Sequence, residues 1–505
     1  MQKIFYMEKY RLHANLIEKY LQKDAASFTR EDLIKYIVDH KIEMVNFRYA
    51  AQDGRLKTLS FYIYSLDYLK SILTYGERVD GSSLFSFIEA GSSDLYVIPR
   101  YKTAFVNPFS EIPAVDILCS FYTNEGKPLE SAPEFILAKA HQYFNQVTGH
   151  IFKALGELEF YVIATKDEQF APTNQKGYHE SSPFIKYNDF RNQAMQLISQ
   201  CGGKIKYGHS EVGAFSNEEY IYEQHEIEFL PVPIEQTADQ IMIAKWVLRN
   251  LAYQYGISVS FAPKITIGKA GSGMHIHMLA EKDGHNQMLE NGKLSDVARK
   301  MIAGILSHAD ALTAFGNTTP LSYMRLVPHQ EAPTNICWGD RNRSVLVRVP
   351  LGWTTEVNMA ASANPNVQTD SPSKPEKQTI ELRSPDGTAD VYMLLAGIVI
   401  SAAQGFLMPN ALEIAEKLYV NVNIHQEDCR DKAKYLGHLP SSCVESAQAL
   451  SNKRATFETN NIFPSGTIDH IIKTLMAFED SDLREKLLKD SELLADLVKK
   501  NLNIK

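Results

Sequence analysis

The sequence predicts an α+β protein in which a small N-terminal domain precedes a much larger one. Three observations lead to this prediction: a hairpin signal near the start of the chain, short β-rich runs in its middle, and helical segments between and after those runs. A chain of 505 residues is also long for one domain, so we expect at least two. The pattern changes near residue 125, which divides the chain into residues 1–125 and 126–505.

The first domain is predicted to contain helices and a hairpin. The segment FTREDLIKYIVDHKI predicts a helix, because Thr29 can cap it and apolar residues from Leu33 onwards recur at helical spacing. Two apolar-rich runs then flank AQDGR, whose Asp-Gly pair is a strong hairpin signal. A second helix follows in SLDYLKSILTYGE, and VDGSSLFSFIEAGSSDLYVIPR is predicted to be a loop leading into a short strand.

In the larger domain, helical patterns alternate with β-rich runs. Helices are predicted for APEFILAKAHQYFNQVTG, DFRNQAMQLISQCGG, IEQTADQIMIAKWVLRNLAYQYG and LSDVARKMIAGILSHADALTAFG. Strands are predicted for GELEFYVI, SVSFAPKITIG and MHIHMLAE. The segment SANPNVQTDSPSKPEKQ, rich in Pro, Ser and Asn, is predicted to be a loop, and the chain from about Pro409 is mostly helical.

Composition excludes several classes of protein. Apolar residues make up 44% of the chain and charged residues 22%, which is typical of a globular protein. The net charge is −8 and Lys and Arg form no dense runs, so we expect no nucleic-acid partner. We also expect no membrane span and no secretory leader. Five scattered cysteines without a CxxC pair argue against disulfides and indicate a reducing cytoplasm.

Three pairs of side chains carry the candidate chemistry, because alternate residues of a strand face the same side of a sheet. These pairs are Glu157 with Glu159, His275 with His277, and Glu381 with Arg383. Carboxylates rarely lie on a buried strand unless they are paired or bound to metal. Two on one face repel each other, and a divalent cation relieves that repulsion.

Each pair taken alone has a simpler interpretation. An ExE motif is commonly a solvated strand edge, an HxH pair is commonly structural, and an ExR pair is usually a cross-strand salt bridge. A GxG motif alone is weak evidence for phosphate binding. Together the residues indicate an oxygen-rich site that favours Mg²⁺ or Mn²⁺ over structural zinc. The candidate ligands are Glu157, Glu159, Glu211, Glu226, His275 and Glu381.

Several arginines lie in the same predicted domain, residues 126–505, as these candidate ligands. Arginine forks match the geometry of carboxylate and phosphate groups. Two hard cations with several arginines suit a nucleotide polyphosphate and an anionic substrate, which indicates phosphoryl transfer. The arginines are Arg325, Arg341, Arg343, Arg348 and Arg383.

The order of motifs resembles that of the glutamine synthetase family. From about Thr29 onwards the chain contains VDGSS, GELEFYV, HSEV followed by HEIEF, GSGMHIHM, SYMRLVPHQEAP, RNRSVLVRVP and IELRSPDGTADVY, in family order. The resemblance implies an N-terminal helix and β-grasp domain, then a catalytic domain with a curved antiparallel half-barrel sheet and a helical C-terminal region. It also implies homo-oligomers of stacked rings, often dodecamers, in which neighbouring subunits share each active site.

The resemblance also implies residue roles at the phosphate end of the site, with about two to three Mg²⁺ or Mn²⁺ ions bound there. The first metal site corresponds to Glu159, Glu211 and Glu226, and the second to Glu157, His275 and Glu381. His277 corresponds to a histidine that contacts ATP phosphate, and Arg343 and Arg348 to phosphate-binding arginines.

Substrate contacts follow from the same resemblance. Arg325 corresponds to the clamp on the α-carboxylate of the amino acid, Arg383 to a residue near the reacting carboxylate, and Glu331 to the glutamate of a closing flap. The glycines that begin at Gly271 let the backbone approach the substrate. Asp80 and Ser83 correspond to a loop that reaches the neighbouring subunit's site and binds ammonium, and Tyr178 is similar to a tyrosine of that pocket.

The implied activity is a cytoplasmic ATP-dependent ligation of nitrogen metabolism, in which glutamate, ammonia and ATP yield glutamine, ADP and phosphate. Phosphorylation of the γ-carboxylate gives a γ-glutamyl phosphate, which ammonia then attacks. Activation is required because direct attack on a carboxylate would have to expel oxide. A closed flap would exclude water from this reactive anhydride.

Several positions depart from the family pattern: Ala270 replaces a usual asparagine, Thr379 an arginine, Met324 a lysine or similar residue, Leu279 a serine, and Asp390 and Val391 part of ANPY. These departures spare the predicted metal ligands and fall near substrate and nucleotide pockets. Two alternatives therefore stay open. One is a γ-glutamyl-amine ligase or another acid–ammonia ligase, and the other is a catalytically silent structural or regulatory member.

Overall fold

The structure, a computed structural model, describes residues 12–85, 88, 93–327, 332–352, 358–366, 376–421 and 435–502. Its helices are α1 (Leu16–Leu21), α2 (Arg30–Asp39), α3 (Leu66–Tyr75), α4 (Pro133–Thr148), α5 (Asn188–Gln200), α6 (Ile234–Tyr255), α7 (Asp296–Ser307), α8 (Ala309–Gly316), α9 (Pro320–Arg325), α10 (Met359–Ala363), α11 (Val391–Leu407), α12 (Ala411–Lys417), α13 (Cys443–Phe457), α14 (Ser465–Met476), α15 (Leu483–Lys489) and α16 (Ser491–Asn501).

The strands belong to two sheets and one separate short hairpin. They are β1 (Met44–Ala50), β2 (Leu56–Tyr62), β3 (Glu77–Asp80), β4 (Asp94–Pro99), β5 (Phe105–Val106), β6 (Ala114–Tyr122), β7 (Ile151–Thr165), β8 (Ile205–Ser216), β9 (Tyr220–Phe229), β10 (Val232–Pro233), β11 (Ser258–Ser260), β12 (Met274–Lys282), β13 (His285–Asn286), β14 (Leu289–Glu290), β15 (Lys293–Leu294), β16 (Trp338–Asp340), β17 (Val347–Val349) and β18 (Ile380–Leu382). The mixture of sheets and helices confirms the α+β class.

The first sheet has the strand order β2-β1-β6-β4-β3, with β5 paired to β6. β1 and β2 form the predicted antiparallel hairpin, while β1 and β6 run parallel. Helix α2 begins where the sequence predicts, because Thr29 caps it and Asp32 completes a reciprocal capping box. Leu33 and Ile37 of α2 are buried in a core formed with α3 and the sheet.

The second sheet has the strand order β16-β17-β18-β12-β7-β9-β8 and curls into a half-barrel. The long strand β7 lies near its centre and pairs antiparallel with both β12 and β9. Helices α4, α6 and α11 contribute buried residues to the large core of this half of the chain. Within the described residues no single helix is long and apolar enough to cross a membrane, although α11 and α12, bent by 111°, pass that test as a pair.

One predicted strand is mostly wrong. Only Ser258–Ser260 of SVSFAPKITIG pairs with β7, and the chain then runs irregularly until β12 begins at Met274. Pro263 lacks the backbone N–H that a strand interior needs. Its carbonyl oxygen instead accepts from the backbone nitrogen of Ser272, which folds this segment back beside the glycines of GSGMHIHM.

A buried ionic contact joins residues 1–125 to residues 126–505. Arg100, which follows β4, donates from both guanidinium Nη atoms to the carboxylate of Asp239 on α6, each at 2.9 Å. Tyr392 of α11 donates to the same carboxylate at 2.7 Å. Burial and the nearby carboxylate of Asp239 raise the pKa of Tyr392 well above its ordinary value, so the hydroxyl remains a donor.

Replacing Asp239 should therefore destabilise the protein strongly. Asp239→Asn keeps the shape of the side chain but leaves the charge of Arg100 buried without its partner, which costs about 3–5 kcal/mol. Thermal and denaturant unfolding would measure this loss. The control is Asp94→Asn, which removes the exposed partner of Arg78 and should cost less than about 1 kcal/mol. Equal losses in the free energy of unfolding for the two variants would contradict a stabilising role of the buried Arg100–Asp239 contact.

Candidate active site

The candidate site is one face of the second sheet, where cross-strand neighbours bring acidic and imidazole side chains together. Antiparallel pairing places opposite residues on the same face, with their Cβ atoms about 5 Å apart. The register places Glu157 opposite both His275 and Glu228, Glu159 opposite Glu226, and Glu381 opposite both His277 and Arg348.

Glu157 joins the two histidines of GSGMHIHM. Its Oε2 lies 2.9 Å from Nδ1 of His275, and its Oε1 lies 2.8 Å from Nε2 of His277. Glu381 Oε1 lies 3.5 Å from Nδ1 of His275. Glu157, His277 and Glu381 also offer ligand atoms that all lie within 4.8 Å of one another. The structure thus brings the predicted second metal site together and places His277 in the same group.

Neighbouring charges shift the pKa values of Glu157 and His277 in opposite directions. Burial alone would raise the pKa of Glu157, but the positive charge of His277 and hydrogen bonds from both histidines hold it well below its ordinary value. Burial opposes the charged form of His277, while Glu157 and Glu381 overcome that effect and raise its pKa. Thr379 fixes the ring of His277, since its Oγ1 lies 3.0 Å from Nδ1.

Arg325 fixes the ring of the other histidine. Its Nη2 lies 3.3 Å from Nε2 of His275, and because a guanidinium only donates, Nε2 must accept and Nδ1 carries the proton. Arg325 also donates to the carbonyl oxygens of Ser384 and Arg383, at 2.8 and 3.2 Å. A methyl group on Gly273 would collide with this guanidinium, so glycine is required for the close approach. Arg325, predicted to clamp the substrate carboxylate, therefore also orients a candidate ligand.

The predicted first metal site lies on β7, β8 and β9. His209 lies between two of its carboxylates, with Nδ1 3.7 Å from Oε1 of Glu211 and Nε2 3.4 Å from Oε1 of Glu226. Glu159 Oε2 accepts from the backbone nitrogen of Gly273 at 2.7 Å and from Nε2 of Gln224 at 3.2 Å. These bonds leave Glu159 opposite Glu226 and fixed in position.

The donor set fits hard divalent cations. Burial and the negative charges of Glu157, Glu159, Glu211 and Glu228 raise the pKa of Glu226 well above its ordinary value. Carboxylate oxygens at this density are the ligands that Mg²⁺ and Mn²⁺ prefer. Bound cations would supply the positive charge that lets these groups ionise together.

Two arginines contact Glu381, the carboxylate that β18 contributes to this face. Arg348 donates from Nη1 to Oε2 of Glu381 at 2.9 Å, and Arg383 donates from Nε to Oε1 of the same residue at 3.1 Å. Arg383 also donates to the carbonyl oxygen of Arg343, whose own side chain is exposed. The predicted phosphate-binding arginines therefore lie at the β17–β18 edge of the acidic face.

The predicted substrate glycines pack closely against the irregular segment that contains Pro263. A side chain at Gly271 would meet the carbonyl oxygen of Pro263 at 2.6 Å, so this position must remain small. Ala270 makes its polar contacts through the backbone: its nitrogen donates to Oε1 of Gln175, and its oxygen accepts from the hydroxyl of Tyr161. The segment with Gln175 also carries the predicted Tyr178.

Tyr178 lies near the first metal group. Its ring stacks on His179 with 4.2 Å between centroids and meets the edge of His209 at 5.5 Å. Because His209 contacts Glu211 and Glu226, the predicted ammonium-pocket tyrosine is one ring away from the acidic face. About half of its surface is exposed.

Asp80 and Ser83 lie on the first sheet and its following turn, and not on the second sheet. Both are exposed. The carboxylate of Asp80 accepts from the hydroxyls of Ser82 and Ser83, each at 2.7 Å. Those bonds lower the pKa of Asp80 to about 2, so it stays ionised. The predicted flap residue, Glu331, lies outside the described residues.

Sequence reasoning missed two members of the acidic face. Glu228 follows Glu226 by two residues in HEIEF, and His209 precedes Glu211 by two residues in HSEV. Burial lowers the pKa of His209, so its imidazole tends to be neutral and available as a ligand. Alternate residues of a strand share a face, which is how Glu157 was grouped with Glu159. The same rule groups Glu228 with Glu226 and His209 with Glu211.

The half-barrel sheet carries acidic and imidazole side chains beside arginines, an arrangement typical of enzymes that bind divalent cations and phosphate groups. Comparison with family models then identifies the family. The model of the glutamine synthetase catalytic domain matches residues 130–487, and that of the glutamine synthetase β-grasp domain matches residues 41–124. This chain belongs to the glutamine synthetase family, which confirms the resemblance and the β-grasp fold. Membership supports an ATP-dependent ligase that uses divalent metal.

Known relatives match most of the chain. A glutamine synthetase of Microchaete diplosiphon is 28% identical over 489 residues, which cover 90% of this chain and 97% of that protein. A glutamine synthetase of Frankia alni is 30% identical over 413 residues, covering 75% of this chain and 81% of that protein. Identity at this level leaves the substrate pair to be decided from the site itself.

Solved structures share the fold. A glutamine synthetase of Plasmodium falciparum superimposes with a TM-score of 0.73 at 20% identity, covering 90% of this chain and 97% of that one. A protein named GmaS, solved without ligand, has a TM-score of 0.70 at 18% identity and covers 90% and 96% of the two chains. Such likeness establishes the architecture alone.

Cation binding should release protons from this site. Because the pKa of Glu226 is raised, its protonated form persists to higher pH, and a cation must displace that proton. Mn²⁺ affinity should therefore continue to rise with pH above the range in which an ordinary glutamate side chain titrates. Calorimetry in buffers of different ionisation enthalpy would count the protons.

The variant Glu226→Gln should weaken Mn²⁺ binding and reduce the proton release. The matched control is Glu281→Gln, further along β12 and paired with Lys153, which should change neither quantity. Proton release that persists unchanged in Glu226→Gln would contradict the assignment of the titrating group.

Proposed function

We propose that this protein is a carboxylate–amine ligase that converts glutamate, ammonia and ATP into glutamine, ADP and phosphate through γ-glutamyl phosphate. One observation carries the proposal: the residues predicted as ligands from five separate segments converge on one face of the half-barrel sheet, beside arginines. That arrangement suits phosphate transfer to a carboxylate, because both partners are anionic and must be held together against their repulsion.

In the first step, an oxygen of the substrate γ-carboxylate attacks the γ-phosphorus of ATP, and ADP leaves. Arg325 would hold the α-carboxylate while Arg343, Arg348 and His277 contact phosphate oxygens. Bound divalent cations would supply further positive charge to the phosphates. The raised pKa of His277 supports this role, because a protonated imidazole donates to phosphate.

In the second step, the nitrogen of ammonia attacks the acyl carbon, the phosphate group leaves, and the nitrogen loses a proton. We propose that Asp80 of a neighbouring subunit accepts that proton and binds ammonium beforehand. Its ionised, exposed carboxylate supports that role. Residues 1–125 would then reach across a subunit interface to the site on residues 126–505, within a cytoplasmic homo-oligomer of stacked rings.

A second candidate is a ligase for a larger amine. Ala270 supports it, because this position lacks the side-chain amide usual in the family and meets its polar partners through the backbone alone. Removing an amide beside the substrate glycines enlarges the pocket and removes a polar contact with the amino acid. A catalytically silent member would instead be expected to lose ligands, whereas the six predicted ones are present and adjacent.

An assay of ADP release decides between these functions. Glutamate should be combined with ammonium, with alkylamines and with diamines, in the presence of Mg²⁺ or Mn²⁺, and other acids then substituted. Turnover with glutamate and ammonium is expected. Glu381→Gln should reduce it by at least about 100-fold, because it removes a ligand.

The control variant is Glu290→Gln on the exposed hairpin, which should retain full turnover. Turnover only with a larger amine would favour the second candidate. Metal binding without ADP release for any acid and amine would refute both and favour the silent member.

Mixed assemblies test the shared site. Subunits carrying Asp80→Ala should be co-expressed with subunits carrying Arg325→Gln under different affinity tags, and doubly tagged assemblies purified. If one site combines Asp80 of one subunit with Arg325 of another, random mixing restores about one quarter of the sites.

The control is a mixture of Arg325→Gln with Glu381→Gln subunits. Both substitutions lie in residues 126–505, which a single subunit contributes to each proposed site. Every site therefore carries one of the two substitutions, and activity should stay absent. Failure of the Asp80 mixture to recover activity would argue against a site shared between subunits.

A further inference from the structure

Gln175 brings a side-chain amide to Ala270, the position at which the family pattern has an asparagine. Its Oε1 accepts from the backbone nitrogen of Ala270 at 2.7 Å. Because a backbone nitrogen only donates, the amide oxygen must face Ala270, and this contact decides which amide atom is which. Nε2 belongs to the same amide group and therefore also lies beside Ala270, the residue that precedes the substrate glycine Gly271.

The donor of this amide is unused. Nε2 of Gln175 is buried and makes no hydrogen bond to any residue that the structure describes. An amide nitrogen that is removed from water without an acceptor is costly, so such an atom in a folded protein calls for an explanation. The contact with Ala270 explains the oxygen of the amide and leaves its nitrogen without a function.

The backbone around Gln175 is fixed against strand β8. In residues 174–179, the nitrogen of Gln175 donates to the carbonyl oxygen of Ala214 at 2.8 Å, and that of Gly177 donates to Val212 at 3.2 Å. Gln175 has a φ of 56°, a left-handed conformation that residues other than glycine adopt at a cost and that is concentrated at functional sites. A donor held in place in this way binds a ligand with a smaller loss of entropy.

The proposed clamp for the acid substrate lies next to the same place. A methyl group on Gly271 would be 3.0 Å from Cγ of Arg325, so the side chain of Arg325 packs against the residue that follows Ala270. A carboxylate accepts several hydrogen bonds through its two oxygens. One carboxylate group can therefore use the guanidinium of Arg325 and the amide nitrogen of Gln175 together.

We propose that Nε2 of Gln175 donates to a carboxylate oxygen of the acid substrate and so supplies the amide that Ala270 lacks. Gln175 is then a specificity-determining residue, since it favours acids that present an oxygen at this point. The inference rests on the proposed function, because it assigns Gln175 to the acid of that ligase. It also separates two effects of Ala270: the polar contact with the acid comes from another segment, while the smaller side chain still enlarges the pocket.

Replacing the donor alone tests this contact. Gln175→Glu keeps an oxygen that accepts from Ala270 and places a second oxygen where the wild-type protein has Nε2. In calorimetry with L-glutamate, in the presence of Mn²⁺ and ADP, the variant should bind glutamate at least about tenfold more weakly than the wild type. The reason is that a hydrogen bond to a charged group is lost and a like charge is introduced. The affinity for ADP should stay unchanged.

The control is Asn174→Asp, which makes the same change of charge one residue earlier. Asn174 is exposed, and its Oδ1 already accepts from Nζ of Lys269 at 2.6 Å, so this variant should bind glutamate normally. Equal losses in the two variants would assign the effect to charge alone and overturn the proposal. If Gln175 only holds Ala270 in place, Gln175→Glu preserves that contact, and wild-type affinity for glutamate in this variant would also overturn it.

A rescue experiment does not depend on how well Gln175→Glu folds. Gln175→Ala should weaken glutamate binding, and adding Ala270→Asn should restore part of it, because a side-chain amide returns beside Gly271. No recovery in the double variant would overturn the proposal. Wild-type protein that binds glutamate without ligase activity would refute the proposed function, whereas weaker binding by Gln175→Glu would still support this inference. Absence of glutamate binding by the wild type would overturn both.

Discussion

Repulsion between carboxylates on one face of the half-barrel sheet is the constraint on which the site depends. Glu157, Glu159, Glu226 and Glu228 form two adjacent cross-strand pairs on β7 and β9, largely removed from water. Burial, together with like charges at this spacing, raises the pKa of Glu226 well above its ordinary value. Histidines on one side and a lysine on the other offset part of this charge, and bound cations would offset more of it.

The backbone beneath that face must be rigid, because misplaced ligands lose affinity for the cation. Antiparallel pairing on both sides of β7 fixes the register of the strands. The loop after β18 is held from below: Lys245 of α6, which is fully buried, donates to the carbonyl oxygen of Gly387 at 2.7 Å. Phe261 packs against the same glycine. The core helices thus determine where Arg383 and the carbonyl oxygens bound by Arg325 lie.

Alternation along single strands could be predicted from the sequence, and it correctly grouped Glu157 with Glu159 on one face of β7. Which strands are neighbours could not be predicted, since cross-strand register depends on long-range packing. That is why the contact of His209 with Glu226, and the place of Glu228 opposite Glu157, required the structure. The overlong strand predicted after Ser258 had a local cause, because Pro263 interrupts an apolar run whose composition favours a strand.

The structure also separates the departures from the family pattern by cause. Met324 is buried against the C-terminal helices α15 and α16, and Asp390 caps α11 by accepting from the nitrogen of Met393, so packing and capping account for both. Thr379 and Ala270 differ, because one contacts His277 and the other adjoins the substrate glycines. A hydroxyl in place of a guanidinium removes a positive charge beside His277, so in the proposed function His277 and Arg348 would bind phosphate without that further charge. Among these departures, Ala270 therefore bears most directly on the choice of substrate. It changes the shape of the proposed substrate pocket and leaves the charge of the acidic face unchanged.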